Sequence, residues 1–520
     1  MFAFAKPLLD FGYARKVKPP MRKDHIVFFF LACGFYFVAM YPYTMGFRRF
    51  YFGDSAWPYT VELLLQEGKI PTVDFAYFYG LPVLIFNKFW FALFGMTPWA
   101  LLYLYIAGIV VSMIGVVRIV TALQLDRLGS FIVVVAGPVI VNAGHLLLTP
   151  VHILEPLLLI HALAAQLYGR YALSLLLVTI AAFVKPSLAY VYGLLLVFQI
   201  VTGWLPHGTP PLSERLRWLL PAAGAAAFLS VATIAWFGWH PFLTTQIPWN
   251  AGKAYADFGH GFFYGVGRNL WWPQPWTPAH YFFTIAGAWL IATVVLLLGM
   301  LVSVRHWHTP VGCYVLTCGI LHCIFVCFLF GNEWSWIYYP YLLFIPAAAI
   351  LDRAIKQNGI FLHVASVIFS LILIGFLIFV VFFFWLSING MDLWMNHHRN
   401  LQTNGLYSDK EDAQAWAEVM ELAKSQKVFV LNRTSAVHWF SPPVNGPRVW
   451  VLIRSIAAPG EIERIQEQIA AANVIVRPRW HDNHLFDWPE FAPLLQDFRL
   501  WREYNLLDIY RRINPDPSNK

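Results

Sequence analysis

The chain has 520 residues, 59% of them hydrophobic and 18% aromatic, and only 12% carry charge, about half the share usual in soluble domains. That balance excludes a soluble globular protein and identifies a polytopic membrane protein. The formal charge of +8 does not point to nucleic acid, because the basic residues lie mostly in short loops between apolar runs, where they set topology.

Residues 1–24 read as a cytoplasmic segment holding Lys6, Arg15, Lys16, Lys18, Arg22 and Lys23. Residues 25–388 then form a membrane domain. Runs long enough to span about 30 Å of hydrocarbon fall at 25–43, 98–118, 129–147, 151–168, 171–185, 187–203, 218–238, 279–303, 310–330, 338–351 and 361–387, which makes about 11 transmembrane helices, the fifth and tenth short. Arg118, Arg127, Arg170, Arg215, Arg217, Arg305, Arg353 and Lys356 occupy alternate turns, the pattern of cytoplasmic loops. Loops 44–97, 239–278 and 331–337 are then expected on the outer face, together with a soluble domain over 389–520. All five cysteines sit in apolar runs and suggest no disulfide framework.

The first outer loop opens on Phe52-Gly-Asp54-Ser-Ala-Trp-Pro58. Asp54 or Ser55 is suited to cap a helix and Pro58 to its first turn. Val61, Leu64 and Leu65 would face one side of that helix, with Glu62, Gln66 and Glu67 on a wet side along the membrane surface. Val83 to Phe94 reads as a second interfacial helix. Asp54 stands where the chain leaves the bilayer, either as a solvated cap or as an ionised carboxylate ready to accept a proton. About a quarter of the residues from Met391 onward are charged, as in soluble domains. Helices near 409–425, 460–472 and 488–497 alternate there with strands at 428–431, 449–453, 474–476 and 506–510, which predicts a small α/β domain. His481-Asp-Asn-His484 reads as a polar loop.

Gly53-Asp54, Glu67-Gly-Lys-Ile-Pro71, Asp74-Phe75, Tyr79-Gly80, Lys185-Pro186, the late segment Tyr338-Tyr-Pro-Tyr341 and the ending Asp508-Ile-Tyr-Arg-Arg512 resemble, over nearly the whole chain, the integral-membrane glycosyltransferases of the GT-C fold. The resemblance implies a donor sugar on a polyprenyl phosphate, membrane lipids as surroundings, and a glycan, lipid or protein acceptor. It also implies a base in the first loop, carried onto Asp54; Asp74, between a solvated acid and a catalytic one, is a second candidate. Such a donor already holds a good leaving group, so transfer needs one proton acceptor for the attacking hydroxyl and cations around the phosphate.

For the phosphate, the candidates are Arg268, Lys253 and Lys185, with Arg48 and Arg49 as alternative interface anchors. Lys185 needs a partner, a phosphate or Glu155. For substrate, Glu333, Trp271 and Tyr338 lie in aromatic loops, and His152 and Glu155 share a helical face. His152, Glu155, Asp54 and Asp74, with His145 across a turn, form either a divalent metal site or a hydrogen-bonded polar cluster; no other cofactor is expected. The competing functions are a polymerase or ligase using a diphosphate carrier and a lipid or sugar transporter. The expected location is a bacterial inner membrane, with the active site and the C-terminal domain periplasmic.

Overall fold

A computed structural model describes residues 22–44, 57–75, 77, 79–142, 150–186, 188–206, 208–247, 285–325, 339–356, 410–431, 460–479, 488–504 and 507–514. In chain order the helices are α1 (Lys23–Thr44), α2 (Trp57–Gln66), α3 (Leu81–Phe94), α4 (Pro98–Leu123), α5 (Arg127–Asn142), α6 (Pro150–Leu167), α7 (Tyr171–Val184), α8 (Leu188–Thr202), α9 (Leu212–Arg217), α10 (Leu220–Phe237), α11 (Trp239–Gln246), α12 (Ile285–Ser303), α13 (Pro310–Ile324) and α14 (Tyr341–Lys356). Among the described residues, Trp99–Leu123, Pro150–Leu167 and Leu212–Phe237 are long and apolar enough to cross a membrane by length and composition, and seven shorter apolar helices accompany them. Ten of the expected spans overlap α1, α4 to α8, α10 and α12 to α14; the one at 361–387 lies outside the described residues.

The two ends of the bundle differ in chemistry. At one end, Arg22 donates to Ser130 Oγ (3.0 Å) and to the Asp126 carbonyl (3.3 Å). His25 meets Thr121 Oγ1 at 3.2 Å, and Asp352 accepts from the Asp126 N–H at 3.1 Å. These contacts join α1, α4, α5 and α14 at the end where the arginine-bearing turns lie. Near the C-terminal ends of α6 and α8 the Gln166 amide donates to Gln199 Oε1 (2.8 Å) and Thr317 Oγ1 (3.2 Å), and Tyr192 donates to Gln166 Oε1 (2.7 Å). Buried polar groups are thereby satisfied among themselves, as an apolar surrounding demands.

The first loop departs from its expected form. In α2, Trp57, Tyr59, Thr60, Val61, Glu62 and Leu64 are all buried, so the helix packs inside the protein and only its last turn is wet. Glu62, expected on the wet side, is 5% exposed. The reason is α3, which covers that side: Tyr59 stacks on Phe91 at 4.6 Å. The opposite face of α3 exposes Ile85, Phe89 and Leu93.

The C-terminal unit holds α15 (Lys410–Ser425), β1 (Val428–Val430), α16 (Glu461–Ala471), β2 (Val474–Pro478), α17 (Ala492–Leu495), β3 (Phe498–Glu503) and β4 (Leu507–Arg512). The sheet order is β1-β2-β4-β3, parallel for β1 with β2 and antiparallel for the other pairs. One face packs Phe429, Ile475 and Phe498 against Ile465 and Ile469 of α16. The other puts Val430, Val476 and Ile509 with Trp416 and Val419 of α15, in a buried cluster that continues into Tyr59, Phe91, Ile153, Ala100, Leu101, Leu102 and Leu104. The C-terminal unit and the first loop therefore share one end of the bundle. The helix expected at 488–497 is only the four residues of α17 followed by β3, and the expected strand at 449–453 lies outside the described residues.

Candidate functional site

Three segments meet at the end of the bundle that carries the C-terminal unit. Val83 of α3, Val151 of α6 and Val184 of α7 form a buried cluster, with Tyr79, Leu154 and Leu158 packed against it. Gly80 joins the first loop to α7 directly, because its N–H donates to the Val184 carbonyl at 3.2 Å. Its φ of −85° suits any residue; what requires glycine is space. A Cβ at this position would fall onto the Phe183 carbonyl oxygen and the Gln246 side chain.

Lys185 follows at once. It closes α7, its N–H reaching the Ala181 carbonyl at 2.9 Å, and it is extended, with φ −147° and ψ 120°. Pro186 accounts for this, since a residue before proline is driven out of the helical region. The pair thus stops the helix and leaves Lys185 beside the Tyr79-Gly80 junction.

His152 and Glu155 lie on the first two turns of α6 and are both buried. Tyr339, just ahead of α14, donates its hydroxyl to the Glu155 carboxylate, at 2.9 Å from either oxygen. Tyr79 meets the His152 ring edge to face at 6.4 Å. Pro156 supplies no N–H to the His152 carbonyl four residues before it. Aromatic rings then extend from this point through the first loop: Tyr79 to Tyr77 at 5.7 Å, Tyr77 to Phe75 at 6.2 Å and Phe75 to Trp57 at 6.3 Å.

Asp74 has a local task. Its Oδ2 accepts from the Ile70 N–H at 2.7 Å, and its own N–H donates to the Ile70 carbonyl at 2.9 Å. Thr72 at the apex takes φ 64°, a left-handed conformation that such a closed turn imposes. The Pro71 to Phe75 stretch is therefore a turn that brings Phe75 and Tyr77 back to the interior, and Asp74 holds it closed.

Among the described residues, no three His, Cys, Asp or Glu side chains converge as metal ligands. His152 and Glu155 are the members of the expected set that come together. Asp54, His145, Arg48, Arg49, Lys253, Arg268, Trp271, Glu333, Tyr338, His481 and His484 lie outside the described residues. Three contributors were not singled out from the sequence: Tyr339, next to the expected Tyr338, and Tyr190 with Gln246. Tyr190 donates to the Gln246 carbonyl at 2.5 Å, which fastens the end of α11 to the same junction. The Gln246 Oε1 is buried and has no partner among the described residues.

The site is apolar-walled, with one lysine at its edge, one tyrosine-bound carboxylate and a row of aromatic rings. Such a set suits an anionic head group with a ring-shaped substituent. No protein-family profile and no characterised protein sequence matches this chain. Among solved structures it is similar to ArnT from Cupriavidus metallidurans in the apo state, at 12% identity and a TM-score of 0.50 over 95% of this chain and 100% of that one. It is similar to the same enzyme bound to undecaprenyl phosphate, at 13% identity and a TM-score of 0.50 over 94% and 99%. It is also similar to the arabinofuranosyltransferase AftD from mycobacteria, at 13% identity and a TM-score of 0.51 over 96% of this chain and 41% of AftD. The architecture is thus that of the GT-C membrane glycosyltransferases, a helical membrane bundle followed by a small α/β unit.

Proposed function

We propose that the chain is an inverting glycosyltransferase that moves a sugar from a polyprenyl-phosphate carrier to an acceptor hydroxyl at the outer face of a membrane, a bacterial inner membrane with the site in the periplasm. The observation that carries this is the meeting of Tyr79-Gly80, Lys185, His152 and Glu155 at one end of a GT-C bundle. Support for the lipid carrier comes from the similar fold of ArnT, whose structure holds undecaprenyl phosphate.

In this reading Lys185, with Arg268 and Lys253 from the loop after α11, meets the donor phosphate and stabilises the charge that grows on it as the sugar leaves. The acceptor oxygen attacks the anomeric carbon from the opposite side. As that bond forms, the bond to the phosphate oxygen breaks and the hydroxyl proton passes to Asp54. One displacement inverts the anomeric centre. Asp74 shapes the loop that carries Asp54, while Tyr339 fixes Glu155 as part of the sugar pocket, to which Glu333, Trp271 and Tyr338 contribute.

The test is to incubate the purified protein with a panel of labelled polyprenyl-phosphate sugars and follow loss of label from the carrier. At least one donor is expected to lose its label, and Asp54→Asn to slow that loss by about 10²-fold or more with no change in unfolding temperature. A normal rate in Asp54→Asn would remove it as the base. If no donor in the panel reacts, the whole reading fails.

A further inference from the structure

The edge of the C-terminal sheet carries a cationic arrangement that the transfer reaction does not use. Arg499 of β3 and Arg511 of β4 are directly opposed in the sheet register. Like charges in opposed positions destabilise a strand pair. Other arginines nearby are paired: Arg479 with Glu503 and Asp508, Arg502 with Glu418, Arg512 with Asp497. Among the described residues neither Arg499 nor Arg511 has a carboxylate, and the Arg511 Nε is buried without a hydrogen-bond partner. The Arg511 guanidinium lies 3.4 Å from the centre of the Trp501 ring, with Arg502 over the same indole at 4.6 Å.

The position of this group suggests what fills it. Leu507 and Ile509 of β4 belong to the cluster shared with α4, and alternation along the strand puts Arg511 on the same face. Trp501 packs against that cluster, as do Trp90 and Trp99, which lie at the end of α3 and the start of α4. Tryptophans at a helix end are characteristic of the membrane interface. Leu500 and Ile513, next to the arginines, are each 50% exposed.

We propose that Arg499 and Arg511, the latter stacked on Trp501, form a binding site for the phosphate of an anionic phospholipid, which seats the C-terminal unit on the bilayer. The opposed arginines then share one phosphodiester, Trp501 lies at head-group depth, and the exposed Ile513 rests on the acyl boundary. This does not depend on the transfer reaction, so its test uses no sugar donor.

The experiment compares backbone hydrogen exchange across residues 498–512 for the full-length protein in nanodiscs of phosphatidylcholine alone and of phosphatidylcholine with phosphatidylglycerol. Phosphatidylglycerol is expected to slow exchange in β3 and β4, by about fivefold for each arginine engaged. Arg499→Gln with Arg511→Gln abolishes the difference, whereas Arg499→Lys, which keeps the charge, retains part of it. Equal exchange in the two membranes would overturn the proposal. So would full protection by inorganic phosphate in neutral nanodiscs, which would assign the site to a small free anion, or unchanged protection in the double variant.

Discussion

Glu62 sits in surroundings unlike those usual for its residue type. It is buried in α2, Gln66 donates to its Oε1 at 3.3 Å, and its Oε2 has no partner among the described residues. Burial raises its pKa above the ordinary 4.5, an effect that the Gln66 hydrogen bond and the nearby Lys88 ammonium only partly offset. A carboxyl with a raised folded pKa binds its proton more tightly in the folded state, so its stabilisation is complete below 4.5 and is lost as pH rises through the folded value. Glu62→Gln keeps the shape and removes the charge. Thermal unfolding across pH should show a flatter profile and a gain of about 1 kcal/mol at neutral pH; an unchanged profile would mean that the carboxylate is solvated. The sequence marked this stretch as acidic but not which acid is buried. Spacing alone puts Glu62 and Glu67 on similar footing, and what separates them is the arrival of α3 over Tyr59, a tertiary event. Asp74 and Lys185 were more legible, because Pro71 and Pro186 fix the backbone around them whatever else packs nearby.

Among the elements, the junction between the first loop and α7 rests on one missing methyl group. Gly80→Ala would drive a Cβ into the Phe183 carbonyl and should cost about 2 kcal/mol in overpacking, read as a lower unfolding temperature. Gly224→Ala, where a Cβ meets nothing within 4 Å, should be neutral or stabilising by about 0.5 kcal/mol, since alanine is the better helix former. Equal effects of the two would remove the steric role of Gly80. Apolar runs disclosed most of the membrane helices because length and hydropathy are local properties. They did not disclose β3. Its residues Phe498, Leu500 and Trp501 break the period of two at an irregularity between Leu500 and Arg502, so the strand does not read as one. The Gln166, Gln199 and Thr317 contacts were equally invisible, since those residues are distant in sequence and meet only when α6, α8 and α13 pack.

For the molecule as a whole, the C-terminal unit has two cores with different consequences. Trp416 is 1% exposed in the cluster that runs into α4 and the first loop, while Ile469 is fully buried in the core beneath α16. Both Trp416→Ala and Ile469→Ala should cost about 3 kcal/mol, but only the first should speed proteolysis at the boundary between the unit and the bundle. If both variants were cut there at the same rate, the shared cluster would not be what joins them. That a small α/β unit follows the helical bundle was legible from the rise in charge density along the chain; the boundary expected near Met391 lies outside the described residues. That the two share one buried surface was not legible, because it depends on Trp416 joining one cluster with Tyr59 and Leu101, more than 300 positions earlier in the chain.

The backbone clasp between Gly80 and Val184 also bears on how loops of this architecture can be exchanged. A first loop transplanted from a related bundle would arrive without the Phe183-Val184 terminus and the Gln246 side chain that its own glycine was fitted to. Grafts that carry only residues 44–97 should therefore mis-seat, and the smallest portable unit is discontinuous: the loop, the last turn of α7 and the end of α11 together.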